Sequence, residues 1–170
     1  LSPCNVKLNG YWRRLYDIIA SCNYVVDSAA GMSEDTRLIA EAKFIRSLAY
    51  FDLVKVFGPV PLYTETMEWN IVDYMSFPTY IFKERASIAQ VYAHIKSDLN
   101  AAAADLPLRS ALSSEELHRA TTGAAKALLA KVYLYESSYA DNYPSEERYS
   151  GLTADWDMVL TLCEEVIESG

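Results

Sequence analysis

Residues 40–65, AEAKFIRSLAYFDLVKVFGPVPLYTE, most constrain what this chain can fold into. Leu38, Ala42, Ile45 and Ala49 recur at three- and four-residue steps, one face of a 3.6-residue period, and Phe44, Leu48 and Phe51 fill a neighbouring face. A helix apolar over so wide an arc is packed on two sides. Ser33 to Asp35 supply its possible N-caps. Gly58 closes its last turn because glycine tolerates the left-handed conformation, and Pro59 and Pro61 forbid continuation, so the chain leaves extended.

Four further segments carry helical periodicity. In the first helix Trp12, Leu15, Tyr16, Ile19, Cys22 and Val26 share a face, and the helix stops near Gly31. The third opens on Ser87-Ile88-Ala89-Gln90, a capping box, buries Val91, Ile95, Leu99, Ala102 and Leu106, and ends at Pro107. A polar link over residues 109–118 leads to a fourth, begun by Thr121 or Thr122, with Ala125, Leu128, Leu129, Val132 and Tyr135 inward. The fifth carries Trp156, Val159, Leu160, Cys163 and Ile167 and finishes at Gly170. Between these helices, residues 64–83 lose the period and collect Trp69, Tyr74, Phe77, Tyr80 and Phe82, while residues 139–152 form a second loop rich in Tyr, Ser and acidic residues.

The second and fourth helices align. Ala42-Lys43 through Tyr50 matches Ala125-Lys126 through Tyr133, with small alanines that let antiparallel neighbours approach and aromatics that fill the other side. Asp155-Trp156 repeats the opening Tyr11-Trp12. This is the logic of an all-α helical-repeat solenoid. We expect one domain over 1–170: a helical unit at about 7–57, an irregular aromatic loop at 58–86, a second unit at about 87–139 and the first half of a third at 154–170.

Chemistry is harder to find. The formal net charge of −8 argues against nucleic acid, whose nonspecific affinity needs Lys and Arg to displace counterions. No apolar run approaches the ~20 residues that cross a bilayer, and the first twenty residues carry no signal-peptide pattern. Cys4, Cys22 and Cys163 are far apart and form no C-x-x-C pair, and Cys22 and Cys163 read as small core residues. His94 and His118 have no cysteine or carboxylate at ligand spacing and read as surface or linker residues, so no metal or cofactor is expected. Adjacent acids such as Glu164 and Glu165 point apart on a helix and read as solvated charge, leaving no catalytic residue to name. Asp52, inside an apolar helix, needs a partner such as Arg46 or Lys55. The thirteen tyrosines stand out: flat rings with polar tips suit sugars and protein interfaces, and equally the packing of loops onto a scaffold.

The stretch over residues 40–65 closely resembles the signature of the SusD/RagB family, in which an alanine-rich helix with an Arg, an Ala-Tyr-Phe and a Leu-Val runs into Phe-Gly-x-Val-Pro-Leu. Three more segments agree: WRRLYDIIASCNYVVD from Trp12, with its Asn23; RATTGAAKALLAKVYLY from Arg119; and DWDMVLTLCEEVIESG from Asp155. The resemblance implies a tetratricopeptide-like scaffold, not an enzyme. It also implies a lipid-anchored subunit on the outer face of the outer membrane that captures an oligosaccharide or other nutrient and passes it to a TonB-dependent, SusC-like transporter. Family chains are much longer, so the lipidated cysteine is expected outside this sequence. Cys4 follows proline and is not read as the anchor. Sugar-facing aromatics are expected at Tyr11, Trp12, Trp69 and Tyr74, although Trp12 also fits the core stripe. The rival reading is a tetratricopeptide-type docking module without a sugar site of its own.

Overall fold

The structure, a computed structural model, describes residues 6–29, 36–66 and 83–169. The described helices are α1 (Val6–Ala29), α2 (Thr36–Phe57), α3 (Ile88–Asp105), α4 (Thr122–Asn142) and α5 (Trp156–Glu168), with short 3-10 turns at Arg109–Ala111 and Glu147–Tyr149. Two-residue strands β1 (Val60–Pro61) and β2 (Arg85–Ala86) pair antiparallel, Val60 opposite Ala86, and tie the end of α2 to the start of α3. Sequence reasoning leaves that bridge out, because two residues are too few to show a strand period.

Each helix packs mainly on its neighbours in sequence, and the contacts fix their directions. Asn23 meets Arg46 while Tyr11 meets Asp52, so α1 and α2 are antiparallel. Arg46 meets Asp98 and Phe51 meets Tyr92. Thr122 meets Leu106 and Lys96 meets Glu136. Ser137 meets Asp155 and Lys126 meets Glu165. The result is an up-and-down row of helices, the expected all-α repeat scaffold.

Local signals explain the ends. Gly58 has φ +70°, and its N–H donates to the Val54 carbonyl at 3.0 Å, closing α2 as the sequence requires. The Ser87 Oγ accepts from the Gln90 N–H while Gln90 Oε1 accepts from the Ser87 N–H, the full capping box. Of the two threonine candidates, Thr121 caps α4 by accepting from the Ala124 N–H, and Thr122 instead donates to the Leu106 carbonyl. Trp156 begins α5 behind Asp155, whose carboxylate accepts from the Met158 N–H.

The core joins α1 to α4 through Ile19, Tyr50, Phe51, Leu53, Val91, Tyr92, Ile95, Leu99, Leu129 and Val132. Each such side chain removed from water contributes about 1.5–3 kcal/mol. At the other end of α2, α3 and α4, Ala40, Ala102, Leu106 and Ala125 form a second, small-residue seam. The predicted stripe of α3 is buried at every position.

Elsewhere the buried faces differ from the expected ones. On α2, Ala42, Ala49 and Phe51 are buried as expected, but Leu38, Ile45 and Leu48 are exposed, and Arg46, Tyr50, Leu53 and Val54 complete the buried face. On α5 the expected stripe faces outward: Trp156, Leu160 and Ile167 are exposed, Cys163 is an exposed thiol rather than a core residue, and Leu162 carries the burial. Cys22 is buried as expected. Helix α4 continues through Tyr139 to Asn142, so the second loop starts later than residue 139.

Candidate functional site

The extended segment after Gly58 lies along α1 and α2, gripped by side chains that reach its main chain. Tyr16 Oη donates to the Pro61 carbonyl at 2.8 Å. Tyr50 Oη donates to the Tyr63 carbonyl at 2.9 Å and accepts from the Tyr63 N–H at 2.7 Å. Asn23 Nδ2 donates to the carbonyls of Tyr63 and Glu65 at 3.1 and 3.0 Å, and Arg46 Nη1 donates to that of Thr64 at 3.2 Å. The Thr66 N–H donates to Asp27 Oδ2 at 2.6 Å. Beyond the Val60–Pro61 bridge the segment has no strand partner among the described residues, and its peptide groups have to be satisfied in some such way.

The grip is anchored by a buried ion pair. Arg46 Nε and Nη2 donate to the two Asp98 oxygens at 2.7 and 2.8 Å, and Nη1 donates to Asn23 Oδ1 at 2.6 Å. All three residues are buried. The two parallel bonds are the geometry in which an arginine–carboxylate pair is strongest. Asp52 therefore takes the other partner foreseen for it: Lys55 Nζ lies 2.7 Å away, and Tyr11 Oη donates to it at 3.0 Å. The sequence does hold a signal for the missed pair, since Arg46 lies between Ala42 and Ala49 on one buried arc and Asp98 lies between Ile95 and Ala102 on another.

His94 belongs to this network and is not the surface residue expected. Its ring stands edge-on to Tyr50, centroids 5.5 Å apart, and Nε2 lies 3.4 Å from Asp98 Oδ2 without a hydrogen-bond partner among the described residues. Burial holds its pKa below the ordinary 6.5, with Arg46 acting in the same sense and Asp98 opposing. The unfolded chain then binds the proton more readily, so this contribution to stability is present above pH 6.5 and is lost as pH falls below it. Urea unfolding is expected to show lower stability at pH 5.5 than at pH 7.5, and His94→Gln should flatten that difference.

Between α1 and the gripped segment runs a cleft of about 450 Å³. Trp12, Tyr16 and Ala20, spaced one helical turn apart, form one side with Asp17 and Asn23; Pro61, Tyr63, Glu65 and Thr66 form the other. The indole of Trp12 is tilted on Tyr16 and edge-on to Phe57, both at 4.9 Å, with the Arg85 guanidinium 5.5 Å from its ring. Tyr16 in turn meets Tyr63 edge to face at 5.8 Å. Burial pushes the Tyr16 phenol far above its usual range, so it stays a neutral donor. The volume falls within the roughly 300–1,000 Å³ of small-ligand sites, and aromatic walls with a few polar groups are their usual lining.

Of the four expected sugar-facing residues, Trp12 lines this cleft. Tyr11, its neighbour on the helix, turns away and pairs with Asp52. Trp69 and Tyr74 lie outside the described residues. Among the described residues no group of three His, Cys, Asp or Glu side chains converges as a metal site, and no helix is long and apolar enough to cross a membrane.

Antiparallel helices stacked on their chain neighbours, with alanine seams and a side-arm leaving after Gly58, define a tetratricopeptide-like scaffold carrying an irregular portion. The chain belongs to the SusD-like (SusD/RagB) family: the family model described as starch-binding and associating with the outer membrane matches residues 2–134. A SusD-like protein of Bacteroides ovatus is 31% identical over 148 residues, 83% of this chain and 25% of its own length. A SusD-like carbohydrate-binding protein of Bacteroides fragilis superposes with a TM-score of 0.75 at 26% identity, covering 100% of this chain and 29% of that one. A structure solved with a xylogluco-oligosaccharide gives a TM-score of 0.76 at 27% identity, covering 100% of this chain and 31% of that one. The chain thus spans a quarter to a third of these relatives' length.

Proposed function

We propose that this chain is scaffold and part of the ligand surface of a glycan-binding subunit at the outer membrane, one that captures oligosaccharide on the extracellular face and passes it to a TonB-dependent, SusC-like transporter. The observation that carries the reading is the cleft of Trp12, Tyr16 and Tyr63 beside Asp17, Asn23 and Glu65. Rings fixed by their neighbours offer apolar faces to pyranoses, and the amide and carboxylates offer hydrogen bonds to hydroxyls. No bond is made or broken. Family membership and the relative solved with a xylogluco-oligosaccharide support a sugar as the ligand. Tyr11, Trp69 and Tyr74 remain proposed as further stacking residues, and lipid anchoring is proposed for a cysteine outside this sequence.

A glycan-array screen tests the reading, with Trp12→Phe to preserve packing and Trp12→Ala to remove the ring. Wild-type binding is expected, weakened about 2–10-fold or more in Trp12→Ala and largely kept in Trp12→Phe. Binding that ignores both substitutions would remove the cleft from the site. The docking-module alternative, in which the helical face binds protein, would be favoured if no glycan bound and the transporter were captured.

A further inference from the structure

The outer wall of the Trp12 cleft is held from both ends by side chains that do not line it. Tyr50, on α2, is 0% exposed, and its ring is fixed edge-on to His94 at 5.5 Å. Its Oη donates to the Tyr63 carbonyl at 2.9 Å and accepts from the Tyr63 N–H at 2.7 Å, so one hydroxyl holds both peptide groups of one residue. Only the neutral phenol can do both, and burial keeps its pKa well above the usual range.

Asp27, exposed near the end of α1, holds the other end: its Oδ2 accepts from the Thr66 N–H at 2.6 Å. Hydrogen bonding from Thr66 keeps its carboxyl below the usual carboxylate range, so the acceptor is charged. Tyr63 and Thr66 both line the cleft, and Tyr50 and Asp27 do not. Asn23 holds the middle and lines the cleft itself. Its Nδ2 donates to the carbonyls of Tyr63 and Glu65 and its Oδ1 accepts from Arg46, which leaves a ligand one lone pair of that oxygen.

A wall held in this way matters to binding for a physical reason. Groups that must be ordered when a ligand arrives subtract that ordering from the affinity, whereas groups already fixed by the fold do not. The Tyr63 ring, edge to face with Tyr16 at 5.8 Å, and the Glu65 side chain can face α1 only while the main chain behind them keeps its place. We propose that Tyr50 and Asp27 are positioning residues for the ligand, which fix residues 63 and 66 opposite Trp12 and Tyr16 without touching the ligand themselves. This role rests on the glycan reading of the Trp12 cleft.

Amide hydrogen exchange and titration on the glycan array test it together, on the unsubstituted chain, Tyr50→Phe, Asp27→Ala and Val132→Ala. Tyr50→Phe keeps the ring in the core, and Asp27→Ala changes an exposed position, so both are expected to fold. Val132, 0% exposed on α4 and outside the cleft lining, gives a variant weakened in the core alone. In Tyr50→Phe, exchange at Thr66, whose own bond is to Asp27, should rise more than at Leu99 in the core. Glycan affinity should fall about 3–30-fold in Tyr50→Phe and about 2–5-fold in Asp27→Ala, and stay unchanged in Val132→Ala. Affinity kept in both wall variants but lost in Trp12→Ala would overturn the positioning role and leave the glycan reading standing. Loss in Tyr50→Phe alone would overturn the part given to Asp27. An equal loss in Val132→Ala would make the effect one of general stability and overturn the role as well. If the unsubstituted chain held no glycan on the array, both readings would be overturned.

Discussion

Arg46→Met is expected to destabilise the fold by about 3–5 kcal/mol, the range found when one partner of a buried ion pair is removed. The substitution leaves Asp98 buried without its cation, strips Asn23 Oδ1 of its donor and releases the Thr64 carbonyl. Urea unfolding followed by circular dichroism measures the loss. Because the penalty comes mainly from the stranded carboxylate, adding Asp98→Leu should recover much of it. A single substitution that cost less than about 1 kcal/mol would mean that water reaches Asp98 and the pair is not sealed as its geometry implies.

Phe51→Ala should cost a similar amount, about 3–5 kcal/mol, through lost burial and the cavity left behind. The ring is 1% exposed, stands edge-on to Tyr92 at 6.3 Å and to Tyr135 at 5.3 Å, and lies under the Lys55 ammonium at 4.4 Å. Ile45→Ala, on the same helix but at an outward position, should stay within about 0.5 kcal/mol. The two unfolding curves together test which face of α2 is the core. If Ile45 proved the costlier position, that face would be covered in solution.

The contrast also shows what the sequence can and cannot convey. Helix α3 is legible from end to end because capping box, apolar stripe and terminal proline agree. Periodicity marks a face fit for burial but does not say where a partner stands. Hence the expected stripe of α5, with Trp156, Leu160 and Ile167, faces outward while Leu162 is buried. The Arg46–Asp98 pair was hidden by distance in sequence: each residue sits within an apolar arc on its own helix, and only the antiparallel packing of α2 on α3 joins them. The cleft is partly legible through Trp12 and Tyr16. Its other wall depends on where Tyr63 and Glu65 are held, which no local pattern specifies.

The grip on residues 61–66 has a consequence for variation. At Thr64 and Glu65 the scaffold takes hold of the peptide carbonyl, which every amino acid carries, and not of the side chain. Path and chemistry are thereby uncoupled. Glu65 lines the cleft, so a new residue there would inherit the same trajectory while presenting a different group to it, and the cleft's chemistry could be rewritten without renegotiating the fold. For an engineer, position 65 is one where a diversified library would lose few members to misfolding.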